Sequence, residues 1–101
     1  MLTKNNILEF LHDNKEYLME KYFLDKIGLV GSFSRGDFNE NSDIDLIVYF
    51  NKDAKNNRIY RLYMGLQQEM KNHFNRDVDI IANGRVLPAF EKKIKREALY
   101  V

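Results

Sequence analysis

Residues 31–50 read GSFSRGDFNENSDIDLIVYF, and their reading sets how the rest of the 101-residue chain must be arranged. Residues 43–50 are mostly β-branched, aromatic or aliphatic, which suits an extended strand. Side chains alternate across a strand, so Asp43 and Asp45 share one face while Ile44, Leu46, Val48 and Phe50 take the other. Two like charges about 4 Å apart repel by roughly 4 kcal/mol at an effective dielectric of 20. The pair is therefore either solvated or bridged by a cation. Upstream, residues 27–30 (IGLV) read as a short apolar strand that stops at Gly31 and Ser32. A glycine there allows close backbone approach, and the amides of such a turn can receive an anion. Together the two halves make a place for a metal-bound phosphate.

Gly-Ser followed after ten residues by Asp-x-Asp on a strand is similar to the pattern of the polymerase-β-like nucleotidyltransferases. More narrowly, the stretch resembles the minimal nucleotidyltransferases, whose signature reads G-S-x-[AS]-R-G-[DE] and then S-D-I-D-L. The residues that carry the likeness are Gly31, Ser32, Phe33, Ser34, Arg35, Gly36 and Asp37, then Ser42, Asp43, Ile44, Asp45 and Leu46. Ser34 and Asp37 stand where alanine and glutamate are commoner. The spacing is not a P-loop, because Asp37 and Phe38 replace the Lys-Ser or Lys-Thr it requires.

Composition narrows the class. At 45% hydrophobic residues, 101 residues support one small domain, expected to span 1–101. Sixteen basic against fifteen acidic residues leave a net charge of +1, which makes no electrostatic case for nucleic-acid binding. Without cysteine there are neither disulfides nor thiolate metal sites. The N-terminal MLTKNNILEF lacks an apolar signal core, and no run reaches membrane-spanning length. The expectation is a cytoplasmic protein.

Along the chain, residues 3–24 read as helix in two pieces. Thr3 is the N-cap, Ile7, Phe10 and Leu11 form one apolar face, and His12, Asp13 and Asn14 mark a break. His12 and His73 have no metal-ligand spacing and are expected at surface or helix-end positions. A short helix is expected from Ser34, its first turn facing the phosphate. Arg35 there either contacts phosphate or pairs with Asp37. Asn39 to Asn41 form a polar turn. A long helix follows over roughly residues 53–74, with Ile59, Leu62, Tyr63, Leu66, Met70 and Phe74 at helical spacing. Gly65 in its middle suggests close approach to the sheet.

A second acidic strand, DVDIIAN, places Asp77 and Asp79 on one face. Asn83 and Gly84 signal a turn, and Pro88 opens a last helix with Phe90, Ile94 and Ala98 as its apolar stripe. Its Lys92, Lys93, Lys95 and Arg96 make either a solvated basic face or a partner patch, the former suiting the helix dipole. Residues 99–101 form a final strand or simply pack.

The resemblance implies an α/β (α+β) fold, a small mixed sheet flanked by helices with no extra domains. It implies a third catalytic carboxylate in a hydrophobic-Asp-hydrophobic triplet, which matches Val78, Asp79 and Ile80. Asp77 has the same parity and stays open as the alternative. Three carboxylates beside a triphosphate need cations, and hard oxygen donors favour magnesium, with manganese as a substitute. Asp43, Asp45 and Asp79 are thus the implied catalytic and metal-binding residues, two Mg2+ the implied cofactors, and Gly31, Ser32 and Arg35 the nucleotide-binding residues. The family further implies a partner, a HEPN-domain ribonuclease toxin that the antitoxin neutralises by adding AMP from ATP to a tyrosine. Two other readings stand beside it: a non-catalytic antitoxin acting by steric occlusion, and the catalytic subunit of a transferase for a small molecule or RNA.

Overall fold

The computed structural model describes residues 1–82 and 88–101, so the turn expected at Asn83 and Gly84 lies outside the described residues. Two helices lead the chain. In α1 (Lys4–Asp13), the Thr3 hydroxyl accepts from the Asn6 amide at 3.2 Å and the Asn6 side chain accepts from the Thr3 amide at 3.1 Å, a complete capping box. Asn14 ends it and begins α2 (Lys15–Tyr22), as the break at residues 12–14 suggested. Phe23, in the left-handed region at φ 55°, turns the chain into β1 (Leu24–Val30).

β1 continues directly into α3 (Gly31–Arg35). This corrects the expectation of a turn followed by helix from Ser34: Gly31 and Ser32 are themselves the first helical residues. Gly31 makes the change of direction at φ 77°, and Gly36 ends the element at φ 93°, its amide donating to the Ser32 carbonyl at 2.9 Å. A polar turn closed by the Ser42 amide on the Asn39 carbonyl leads to β2 (Ile44–Phe50). Then come α4 (Asn56–Phe74), β3 (Val78–Ala82), α5 (Pro88–Glu97) and β4 (Leu99–Tyr100). α4 starts three residues later than its periodicity suggested. The two-residue β4 settles the C-terminus as a strand.

The sheet order is β3-β2-β1-β4, with β1 antiparallel to β2 and to β4, and β2 parallel to β3. The sheet is mixed, as expected. Register divides the faces. Leu29 opposes Leu46 and Leu46 opposes Ile80, a row that belongs to the core with Ile27, Ile44, Val48 and Val78. Ile7 and Leu11 of α1, Leu18 and Tyr22 of α2, and Leu66 and Met70 of α4 cover that face. A register shift between Leu24 and Lys26 lets Leu24 join it too, since strict alternation would put Leu24 with Lys26 and Gly28. Burying each such Leu or Ile contributes roughly 1.5–3 kcal/mol.

Gly65 answers to a helix rather than to the sheet. A Cβ there would stand 3.4 Å from the Tyr22 ring, and the Tyr22 hydroxyl donates to the Gly65 carbonyl at 3.3 Å. The same hydroxyl meets Glu69, which also receives Lys21 at 3.0 Å, so α2 and α4 are joined by a polar contact at the rim of the core. Among the described residues, no helix is long and apolar enough to cross a membrane.

Candidate active site

The opposite face of the sheet carries the acids. Val30, Asp45 and Asp79 form one row across β1, β2 and β3, because Val30 opposes Asp45 and Asp45 opposes Asp79. Neighbouring strands lie about 4.8 Å apart, so the parallel β2/β3 pairing brings the last two carboxylates side by side. Asp43 stands one residue before β2 and shares their side. These three aspartates, with Gly31, Ser32 and Arg35, line one cleft of about 680 Å³. All six residues singled out in the sequence thus meet there.

Asp77 does not. Its exposed carboxylate is 3.7 Å from the Lys71 ammonium on α4, and its carbonyl accepts from the Ile44 amide at 3.0 Å. It lies just before β3, one pleat too early to reach the cleft. The histidines stay outside as well: His73 stacks on Phe10 with ring centroids 3.7 Å apart, and His12 is exposed beside Asp13.

Gly31 is required twice over. Besides its positive φ, a Cβ at that position would stand 2.2 Å from Oδ2 of Asp45, so the carboxylate lies directly over the glycine backbone. Burial, then the neighbouring charges of Asp79 and Asp43, push the Asp45 carboxyl up from 3.8 to about 6, against the pull of Arg35. A cluster of this kind favours a cation. Among the described residues, no three His, Cys, Asp or Glu side chains could by themselves hold a metal ion. Magnesium is commonly bound through one or two carboxylates plus substrate phosphates rather than by a protein cage. The donor set fits such a shared site.

Arg35 lines the cleft with its guanidinium already engaged. Nε donates to Asp37 at 3.1 Å and Nη1 to Glu97 at 2.9 Å. The ion pair with Asp37, one of the two readings left open, is therefore present, and a second carboxylate joins it. Ser34 beneath is 9% exposed and donates its hydroxyl to the Glu97 carbonyl.

α5 closes the cleft. Phe90, Lys93, Ile94 and Glu97 of α5 all face the cleft. Of the apolar stripe of the last helix, Phe90 is 52% exposed, and Phe90 and Ile94 line the cleft with Ile81. One signal for Glu97 was available. An acid in the last turn of a helix opposes the dipole and calls for compensation elsewhere. Here the Gly31 amide donates to it at 3.2 Å and Arg35 completes the compensation. Burial works against the charge, but the Arg35 and Gly31 hydrogen bonds prevail and hold the Glu97 carboxyl below its ordinary range.

A mixed sheet that sets three carboxylates beside a glycine and serine at a strand end is the framework of a nucleotidyl-transferring protein. The chain belongs to the nucleotidyltransferase domain family, which matches residues 7–101. A Methanocaldococcus jannaschii protein is 33% identical over 102 residues, the whole of both chains, and the protein adenylyltransferase MntA of Thermococcus cleftensis is 28% identical over 101 residues, all of this chain and 98% of that one. Among solved structures, a chain of a toxin–antitoxin crystal structure with AMP-PNP is similar at TM-score 0.63 and 25% identity, covering 98% of this chain and 72% of that one. A tri-AMPylated Shewanella oneidensis HEPN toxin in complex with its MNT antitoxin contains a chain similar in fold, with TM-score 0.62 and 18% identity. It covers 91% of this chain and 69% of that one.

Proposed function

We propose that this chain is a protein adenylyltransferase antitoxin, which transfers AMP from ATP to a tyrosine of a partner HEPN ribonuclease toxin in the cytoplasm, residues 1–101 acting as one domain. The observation that carries the reading is the convergence of Asp43, Asp45 and Asp79 on one cleft with Gly31 and Ser32 at its edge. The chemistry of the similar proteins agrees: the Thermococcus cleftensis relative is a protein adenylyltransferase, one solved assembly holds AMP-PNP, and another contains an AMPylated HEPN toxin.

Asp43, Asp45 and Asp79 would hold magnesium, which when bound supplies charge neutralisation for the triphosphate. The Gly31 amide, the Ser32 hydroxyl and Arg35 orient the phosphate oxygens at the strand end. Phe90, Ile94 and Ile81 offer an apolar wall for the nucleoside, and Lys93 a positive charge beside it. The acceptor tyrosine oxygen attacks the α-phosphorus and Asp79 takes its proton. The bond from the α-phosphorus to the bridging oxygen breaks, and pyrophosphate leaves with that electron pair. Catalysis by these residues is positioning and charge placement rather than covalent participation.

The test is the intact mass of the HEPN-domain partner after co-expression with this chain, either wild type or carrying Asp43→Asn and Asp45→Asn. The expected result is one or more AMP increments with wild type and none with the double variant. An unmodified partner in both samples overturns the reading.

A further inference from the structure

Glu97 does something the transfer chemistry does not call for. Its carboxylate accepts from the Gly31 amide at 3.2 Å and from Arg35 Nη1 at 2.9 Å, two of the donors that phosphate oxygens need at the strand end. With Asp37 on its other edge at 3.1 Å, the Arg35 guanidinium carries no uncompensated charge into the cleft. A carboxylate is a planar anion with two acceptor oxygens and can satisfy the donors that bind a phosphate. The Glu97 side chain is 13% exposed, so its hold on them is little diluted by water.

The backbone of Glu97 is anchored independently of that side chain. Its carbonyl accepts from the buried Ser34 hydroxyl, the following Ala98 amide donates to the Ile94 carbonyl at 2.8 Å, and β4 pairs with β1 straight after. The carboxylate can therefore rotate away while α5 stays in place.

We infer that Glu97 is a built-in anion competing with the nucleotide's phosphates for the Gly31 amide and Arg35, so that it sets the affinity of the cleft for triphosphate. This rests on the nucleotidyltransferase reading and names the residue that tunes it. Glu97→Gln keeps the shape and one acceptor oxygen but removes the charge. Titration calorimetry with ATP and magnesium, and with tripolyphosphate and magnesium, is expected to show binding at least fivefold tighter than wild type. Adenosine binding should be unchanged, and adding Arg35→Ala to Glu97→Gln should erase the gain. Equal or weaker triphosphate binding by Glu97→Gln makes Glu97 a brace for the site and overturns the inference alone. Failure of both wild type and variant to bind ATP overturns the nucleotidyltransferase reading with it. Thermal melts establish that the variant is folded. Should it not fold, Glu97→Ala replaces it, which removes the competing carboxylate outright and carries the same expectation.

Discussion

Replacing Asp45 with asparagine should stabilise the protein while abolishing transfer. The Asp45 carboxyl is pushed from 3.8 to about 6 by burial and by Asp79 and Asp43, so its charged form is disfavoured in the folded protein. About two units at about 1.4 kcal/mol each bound the cost near 3 kcal/mol. Asp45 is only part-buried, and solvent screening brings the expected figure to about 1 kcal/mol. For a chain of this size that is an increase of roughly 4–8 °C in Tm. The sign with pH follows from linkage. Well below pH 3.8 the group is protonated whether folded or unfolded, and no penalty exists. Between about 4 and 6 the folded state keeps a proton that the unfolded state has released, so the penalty grows as pH rises and is complete above about 6. Melting curves of wild type and Asp45→Asn in magnesium-free buffer at pH 7.5 and pH 4 read this directly. The variant should melt higher at pH 7.5, and the gap should shrink at pH 4. A variant that melts at or below wild type at pH 7.5, or a gap undiminished at pH 4, refutes the reasoning.

Three further outcomes are expected. Gly31→Ala places a Cβ 2.2 Å from Oδ2 of Asp45 on a residue at φ 77°, so it should cost more than about 1 kcal/mol in denaturant unfolding and reduce transfer by displacing that carboxylate. Burial opposes the Glu69 charge, but hydrogen bonds from Tyr22, Lys21 and Tyr17 outweigh it and depress its carboxyl; wild type should therefore lose stability relative to Glu69→Gln as pH falls through the acid range, as paired melts will show. Phe90→Ala should leave Tm nearly unchanged, since the ring is 52% exposed, yet raise the KM for ATP several-fold in a transfer assay.

Much of the architecture was legible because its signals are local. The apolar spacing of Ile7 and Leu11, the Thr3 cap and the alternation through Ile44, Leu46 and Val48 each depend on residues a few positions apart, and all appear where periodicity placed them. The misreadings fall where a distant partner overrides a local rule. Gly65 looked like a sheet contact, but its neighbour is Tyr22, 43 residues away. α3 begins at Gly31 rather than near Ser34, because Gly31 turns the chain at φ 77° directly after β1 and the residues that follow go straight into the helix.

Sequence alone determined that this is a small α/β protein with a Gly-Ser strand end and an Asp-x-Asp strand, because the type of an element and the chemistry of a motif are written in adjacent side chains. It also marked Asp79 as a candidate, though with Asp77 as its equal in parity. Only the tertiary structure separated those two in space, by setting Asp79 opposite Asp45 in the parallel register and leaving Asp77 to Lys71. Only the fold brought Glu97 back across 66 residues to Gly31, and made a cleft wall of the apolar Phe90 and Ile94. The reason is physical: strand register and the pairing of charges are properties of surfaces brought together by folding, and residues far apart in the chain carry no local pattern that announces them.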